Sequence, residues 1–380
     1  MPFSILTAVI LSALMLYFTG LIPEFGEWYS YDQSLRLQTE ALMRGELALQ
    51  PVPYGHRHDW AWGNGIQQIW GLGVPLLQLP FEAAANLFGF FGFPDRLIFL
   101  TFYLLVTVIF WKSLNSATNP PLSDKEQLIR RLQNTPILLF AMLNPAFITM
   151  MRAKFGPYEE VTAYGYLWAF MLLSLIYLFL NNPQRRLYLL ICLLAGFSAN
   201  IRPTTGAYGV MTFLIVFYLA GQNRIRGRWA GLPLFLAGSL FLLMTNYLRF
   251  GNPIEFGHSL LLTGAPVIDY LLKFDNPLHW IPFTSSAFEL LSALFFTDIS
   301  KDSILWQSNV PRMREFNFEP YNFFTLILLL ASWLVVARGL VRAKIKGLFE
   351  NRGEPLMIGM GTIWSFCSFL MLFYFYSQMN

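Results

Sequence analysis

Repeated stretches of about 18 or more residues with almost no charge limit the fold of this chain more than any other feature. Each stretch is long enough to cross the roughly 30 Å hydrocarbon core of a bilayer as a helix. Charged residues make up only 13% of the 380 residues, against about 25% in soluble domains. A soluble protein of this length would have to bury every face of these helices. The sequence therefore predicts an all-α polytopic membrane protein.

About nine of these stretches are predicted to span the membrane, near residues 3–22, 94–111, 135–151, 161–180, 187–201, 205–220, 229–248, 321–341 and 356–377. The first has no basic residues before it and no small-residue cleavage site, so we interpret it as a retained span and not as a signal peptide. Residues 66–92 are also apolar, but Gly and Pro interrupt them and Glu82 lies in their middle. That pattern is typical of a helix that lies in the membrane interface.

The positions of Lys and Arg predict the orientation of these spans. With the N-terminus in the cytoplasm, the inside loops are 112–134, 181–187, 221–229 and 338–354, and they hold 14 of the 26 basic residues but only 4 of the 22 acidic ones. Basic residues in short flanking loops stay on the cytoplasmic side. We expect an integral cytoplasmic (inner) membrane protein with one domain, 1–380, and two long outer loops, 23–93 and 251–320. The basic pI of about 9.0 follows from the cytoplasmic flanks and does not indicate nucleic-acid binding.

The first outer loop contains a charged segment with helical spacing. Asp32, Arg36, Glu40 and Arg44 recur every four residues and so predict one stripe on a juxtamembrane amphipathic helix. For the last three we favour a solvated face. Asp32 differs because it begins the segment.

Asp32 is flanked by Trp28, Tyr29 and Tyr31. Tyrosine and tryptophan are typical of the headgroup boundary of a membrane. A carboxylate at that depth can meet both a lipid phosphate and a water-soluble substrate.

A second cluster lies in the outer turn "MMRAKFGPYEE". Arg152 and Lys154 are candidates to hold an anionic headgroup, and Glu159 and Glu160 begin the next helix. Acidic residues are favoured at a helix N-terminus through the helix dipole, so a purely structural role stays open for this pair. The alternative is a pyrophosphate site or a site for a divalent cation, Mg²⁺ or Mn²⁺.

Further candidates lie in other outer connections. Arg202, in "SANIRPTTG", separates two apolar segments, where it either binds a phosphate or extends to the interface. The stretch "NYLRFGNPIEFGHS" begins the second long loop with Arg249, Glu255 and His258, which we expect to contact an acceptor or the loop itself. The stretch "YGHRHDW" brings His56, His58 and Asp59 close in sequence, but a metal site would need a further ligand from elsewhere.

The order of these parts resembles the polytopic glycosyltransferases of the GT-C superfamily. A first span is followed by an outer loop with an early aspartate, by the juxtamembrane stretch "GVPLLQLPFEAAANLFG", and by an outer turn with an acid. An Arg-Pro pair and "NYLRFGNPIEFGHS" come later. The most similar group is that of the dolichyl-phosphate-mannose mannosyltransferase-like proteins related to the aminoarabinose transferases. The resemblance covers the whole chain as an arrangement, and its short motifs are degenerate.

The resemblance implies that a sugar is transferred from a polyprenyl-phosphate lipid to a glycan, lipid or protein acceptor at the outer face of the membrane. Asp32 matches the family's catalytic aspartate, Glu160 or Glu159 its second acid, and Arg202 its phosphate contact. Asp32 as general base and Arg202, Arg152 or Lys154 as phosphate ligands suit this chemistry.

Two departures from the family and two rival functions stay open. The family often has a pair of acids where this chain has Asp32 and Gln33. Its members usually continue beyond a segment such as "FYFYSQMN", so a C-terminally truncated, inactive homologue is one alternative. A lipid or glycan transporter or flippase is another, but transporters usually place ionisable residues near the bilayer midplane. Here the polar groups collect on one face.

Overall fold

The computed structural model describes residues 33–49, 60–90, 92–116 and 157–257, together with scattered positions (10, 13–14, 131, 134–135, 137–139, 141–143, 260, 296–298, 316–318 and 334). Residues Met1–Leu272 form one compact unit and Lys273–Asn380 a second. The helices of the first unit are α1 (Ser34–Met43), α2 (Gly73–Leu87), α3 (Asp95–Asn115), α4 (Pro157–Asn181), α5 (Arg185–Ile201), α6 (Thr205–Gln222) and α7 (Gly231–Phe250).

Four of the described helices are long and apolar enough to cross a membrane. They cover Asp95–Asn115, Glu159–Asn181, Thr205–Gln222 and Arg228–Phe250. Each lies within a few residues of a predicted span. The helix α5 has 17 residues, or about 26 Å at 1.5 Å per residue, and it coincides with the predicted span 187–201. The predicted spans 3–22, 135–151, 321–341 and 356–377 fall wholly or largely outside the described residues, so the count of nine stays a prediction.

The long helices pack side by side, and α4, α5, α6 and α7 alternate in direction along the chain, whereas α3 runs parallel to α4. The helix α5 packs against α6 and α7, and α4 packs against α3, α5 and α6. Glycines allow the closest approach: a Cβ on Gly196 of α5 would collide with the carbonyl of Phe235 in α7, and a Cβ on Gly238 would meet the backbone of Gly196. Small residues at helix crossings are typical of membrane bundles, because they allow backbones to come close.

This alternation gives the bundle two distinct ends. One, which we name the basic end, contains the last turn of α3 and the connections after α4 and α6. Its Lys and Arg residues are Lys112, Arg185, Arg186, Arg224, Arg226 and Arg228. The side-chain amide of Asn181 donates to the hydroxyl of Ser116 at 3.1 Å, so α3 and α4 end beside each other there.

The other end, which we name the hairpin end, contains the starts of α3, α4 and α6, the ends of α5 and α7, and the first-loop elements. Those elements are α1, α2 and an antiparallel hairpin of β1 (Trp60–Gly63) and β2 (Gly65–Gln68). Asn64 alone connects the strands, and Gly65 has a φ of +86°, which glycine adopts without strain. Leu49 extends the hairpin by one bridge to Ile66.

Two short antiparallel strand pairs depart from the predicted all-α fold. The first is β1–β2, and the second pairs β3 (Phe296–Asp298) with β4 (Phe316–Phe318) in the second unit. The described part of the chain is otherwise mostly helical, as predicted for a helical membrane protein. The juxtamembrane helix expected within 66–92 is α2, which covers only Gly73–Leu87, because residues 65–68 pair as a strand.

Candidate functional site

A buried hydrogen-bond chain joins three elements of the hairpin end. The side-chain amide of Gln78 in α2 donates to a carboxylate oxygen of Glu160 in α4 at 2.8 Å. The Thr39 hydroxyl in α1 lies 3.2 Å from the amide oxygen of Gln78 and within reach of the carbonyls of Leu35 and Pro75. We name this set Thr39–Gln78–Glu160 the amide link. Because its members are fully or almost fully buried, it fixes Glu160 relative to both short helices.

An ion cluster connects α1 to the segment before α3. One terminal nitrogen of the Arg36 guanidinium donates to Glu40 at 2.8 Å, and the other donates to the Gln33 side-chain oxygen at 3.0 Å. Its Nε lies 3.6 Å from the carboxylate of Glu82 in α2. The backbone N–H of Phe93 donates to the other oxygen of Glu82 at 3.0 Å. The cluster thus ties together α1, α2 and the chain leading into α3.

Glu82 is the acid of this cluster that burial affects most. Burial raises the pKa of the Glu82 carboxyl, and the charges of Glu40 and Asp95 act in the same direction. The hydrogen bond from Phe93 and the charge of Arg36 both lower that pKa. Desolvation is the largest of these effects, so Glu82 holds a proton to a higher pH than an exposed glutamate does.

A third cluster surrounds Trp70, which follows the hairpin. The guanidinium of Arg202, in the extended connection between α5 and α6, lies over the Trp70 ring at 5.7 Å from the centroid. Arg202 also donates to the hydroxyl of Thr162 in α4. On its main-chain side, the Trp70 carbonyl accepts from Arg249 of α7 at 3.0 Å. Two arginines, one from the connection after α5 and one from the last turn of α7, therefore contact one tryptophan at the hairpin end.

Several predicted site residues lie at this end. Glu159 and Glu160 are in the first turn of α4, as predicted; Glu159 is half-buried, whereas Glu160 is only 1% exposed. Arg202 lies in the connection that begins α6. The side chain of Glu255 accepts from the backbone of Gly257 at 2.6 Å in the turn after α7. Asp32, Arg152, Lys154, His56, His58, Asp59 and His258 lie outside the described residues.

Two expectations for individual arginines differ from the structure. The sequence predicts Arg249 at the start of the second long loop, but Arg249 belongs to the last turn of α7 and is 1% exposed, because that helix continues to Phe250. The sequence predicts a solvated face for Arg36, but Arg36 is 4% exposed because α2 brings Glu82 against it. Arg44 does lie at the surface, where it pairs with Glu46 at 3.2 Å.

Sequence reasoning missed Gln78, Thr39, Glu82 and Trp70 as members of these clusters. Glu82 does stand out as an acidic residue in the middle of an apolar segment, and such a residue needs a partner. For the metal prediction, no group of three or more His, Cys, Asp or Glu side chains is placed to hold an ion among the described residues. The candidate ligands His56, His58 and Asp59 are not among them.

Comparisons with protein-family models, with curated proteins and with solved structures found no match to this chain.

Proposed function

We propose that this chain is a membrane glycosyltransferase that transfers a sugar from a polyprenyl-phosphate-linked donor to an acceptor at the outer face of the cytoplasmic membrane. One observation carries the proposal. Glu160, Arg202 and the helix that begins two residues after Asp32 meet at one end of the bundle, although they come from three separate parts of the chain. An enzyme that works on a lipid headgroup needs acids and cations together at one membrane surface.

The distribution of charge supports the orientation in this proposal. The basic end carries a cluster of Lys and Arg and the hairpin end carries the candidate site. Basic flanks stay in the cytoplasm, so the hairpin end faces outward. A lipid-linked donor that is displayed on the outer leaflet meets the site there.

In the proposed reaction, the Asp32 carboxylate accepts the proton of the acceptor hydroxyl. The acceptor oxygen attacks the anomeric carbon of the sugar as the bond from that carbon to the phosphate oxygen breaks. The electron pair of the broken bond leaves with the phosphate. The Arg202 guanidinium stabilises the charge that develops on the leaving polyprenyl phosphate.

An apolar groove on α7 suits the lipid part of such a donor. It has a volume of about 610 Å³ and is lined by Ala237, Leu240, Phe241, Leu243, Met244, Tyr247 and Pro253. It reaches the hairpin end of α7 at Tyr247 and Pro253. An isoprenoid chain lying in this groove would bring its phosphate to the end of the bundle that holds Arg202.

The groove also favours the second candidate function, a lipid transporter or flippase, because a transported lipid needs the same apolar surface. The two differ in bond cleavage. A transferase breaks the sugar–phosphate bond, whereas a flippase moves the intact lipid between leaflets.

The test uses the full chain in native membrane vesicles, which supply the acceptor, with added polyprenyl-phosphate-linked sugars and release of polyprenyl monophosphate as the readout. We expect release by the wild type and none by Asp32→Asn. Asp124→Asn, in a predicted cytoplasmic loop, is the matched control and should be as active as the wild type. Full activity in Asp32→Asn would remove Asp32 from the mechanism. Movement of the intact lipid without release would favour the flippase.

A further inference from the structure

We propose that Arg249 is a positioning residue, which holds the exit of the first-loop hairpin so that the Trp70 ring stays against the Arg202 guanidinium. This inference rests on the proposed function, in which Arg202 contacts the donor phosphate. It gives a role to a buried arginine that the reaction itself does not use.

The first step is the contact that Arg249 makes with the hairpin. Its guanidinium donates to the side-chain oxygen of Gln67 at 3.3 Å, to the carbonyl of Trp70 at 3.0 Å and to the carbonyl of Gln68. Among the described residues no carboxylate lies within ion-pair distance of it. A buried charge without an acid needs such polar partners. The planar fork of arginine suits three acceptors spread over residues 67–70, which a lysine could not all reach.

The second step is the set of hydrogen bonds that holds the hairpin turn against the last turn of α7. The backbone N–H of Asn64 donates to the carbonyl of Arg249 at 2.7 Å, and the Asn64 side chain donates to the carbonyl of Leu248 at 2.7 Å. A Cβ on Gly63 would collide with the Arg249 carbonyl, so only glycine permits this approach. The last turn of α7 therefore holds both the turn and the exit of the hairpin.

The third step connects the hairpin exit to α5. A Cβ on Gly71 would collide with the carbonyl of Asn200, so the chain after Trp70 lies directly against the end of α5. Arg202 follows Asn200 by two residues. Trp70 is thereby held between α7, through its carbonyl, and the connection after α5, which carries Arg202.

The last step is the effect on Arg202. The Trp70 ring lies on one side of its guanidinium, and the hydroxyl of Thr162 accepts from one of its nitrogens. An aromatic face attracts a guanidinium and restricts its plane. Movement of the hairpin exit would remove that restriction, so a change at Arg249 should weaken phosphate binding without touching the phosphate.

The experiment measures binding of undecaprenyl monophosphate, the leaving group of the proposed reaction, to the full chain in nanodiscs. We expect Arg249→Lys, which keeps the charge but loses the fork, and Trp70→Leu each to raise the Kd about tenfold. The Kd of the double variant should be no higher than that of the single variant that binds less tightly, because both changes act through the contact between Trp70 and Arg202. Arg186→Lys at the basic end is the matched control and should stay within about twofold of wild type. Thermal unfolding of each variant checks that it is folded.

The outcomes separate this inference from the proposed function. Wild-type binding that is lost in Arg202→Ala but unchanged in Arg249→Lys would overturn the positioning role while leaving the proposed function in place. Additive losses in the double variant would overturn it too. Failure of the wild type itself to bind would remove the proposed function and the positioning role together. If Arg249→Lys does not fold, Trp70→Leu decides, because it keeps the main-chain carbonyls that Arg249 holds: unchanged binding in that variant overturns the inference.

Discussion

The side-chain amide of Gln78 donates to the carboxylate of Glu160 across 82 residues of sequence. This bond joins a short first-loop helix to the first turn of a helix long enough to span a membrane. Through this hydrogen bond, a movement of α2 would shift Glu160, the residue that matches the second acid of the resembled family.

Removal of the Gln78 amide should destabilise the chain, because Glu160 would lose its described hydrogen-bond partner while staying buried. We expect Gln78→Leu to lower the free energy of unfolding by about 1–3 kcal/mol. Glu160→Gln, which keeps an acceptor oxygen, should cost less. Thermal unfolding of the detergent-purified chain measures both. The matched control is Gln184→Leu, because Gln184 is exposed and makes no side-chain cap hydrogen bond. An equal loss of stability in that variant would show that the amide link does not stabilise the chain.

The stability of the hairpin end should depend on pH through Glu82. The pKa of Glu82 is raised in the folded chain, so the folded state keeps this proton to a higher pH than the unfolded state does. The contribution of Glu82 is therefore most favourable below the unfolded pKa, near 4.5, and it is lost as the pH rises through the folded pKa.

Glu82→Gln should remove that part of the pH dependence. Unfolding midpoints measured between about pH 4 and pH 8 should fall less steeply with rising pH in this variant than in the wild type. Glu46→Gln changes a carboxylate that is 48% exposed and serves as the control. Parallel curves for Glu82→Gln and wild type would contradict the prediction.

Loss of the Arg202 guanidinium should affect the donor more than the acceptor. A hydrogen bond to a charged group contributes about 1.5–3 kcal/mol, so Arg202→Ala should raise the donor KM about tenfold to a hundredfold. The acceptor KM should change little. Steady-state kinetics with each substrate varied in turn measures the split, and Arg185→Ala, an exposed arginine of the basic end, is its control. An unchanged donor KM would return Arg202 to a structural role.

The contact between α5 and α7 should not tolerate a side chain at Gly196. A Cβ there would collide with the Phe235 carbonyl, so the two helices would have to separate. Overpacking of this kind costs about 1–3 kcal/mol, and Gly196→Ala should lower the unfolding midpoint accordingly. Leu193→Ala on the same helix changes a residue that is 42% exposed and should have little effect. Similar midpoints for both variants would contradict the close crossing.

The long helices were predictable because their signal is local. A run of apolar residues between charged or glycine-containing turns marks each of α4, α5, α6 and α7, and the predicted bounds differ from the observed ones by four residues at most. The hairpin was not predicted. Its strands have only four residues each, which is too short for a recognisable alternation of apolar and polar residues within the glycine-containing stretch "WAWGNGIQQ". Its conformation depends on the end of α7, which is far away in sequence.

The site residues were less predictable, since their environments come from distant partners. Arg36 looked solvated because its own helix gives it charged neighbours, and only α2 supplies the buried Glu82. Arg249 looked like a loop residue because Gly251 and Pro253 follow it. The position of Glu159 and Glu160 in the first turn of α4 was predictable because acids at a helix start form a local pattern. Asp32, on which the proposed reaction depends, remains a prediction.

The hydrogen bonds from Arg249 to the hairpin can form only after α7 has been synthesised. Gln68 leaves the ribosome 181 residues before the arginine that holds it, which is roughly 10–40 s at about 5–20 residues per second. Until α7 has been inserted, residues 60–70 lack the helix end to which they hydrogen-bond in the folded chain. This interval is therefore when proteases or chaperones would find the hairpin accessible, and when a delay in translation would prolong that exposure.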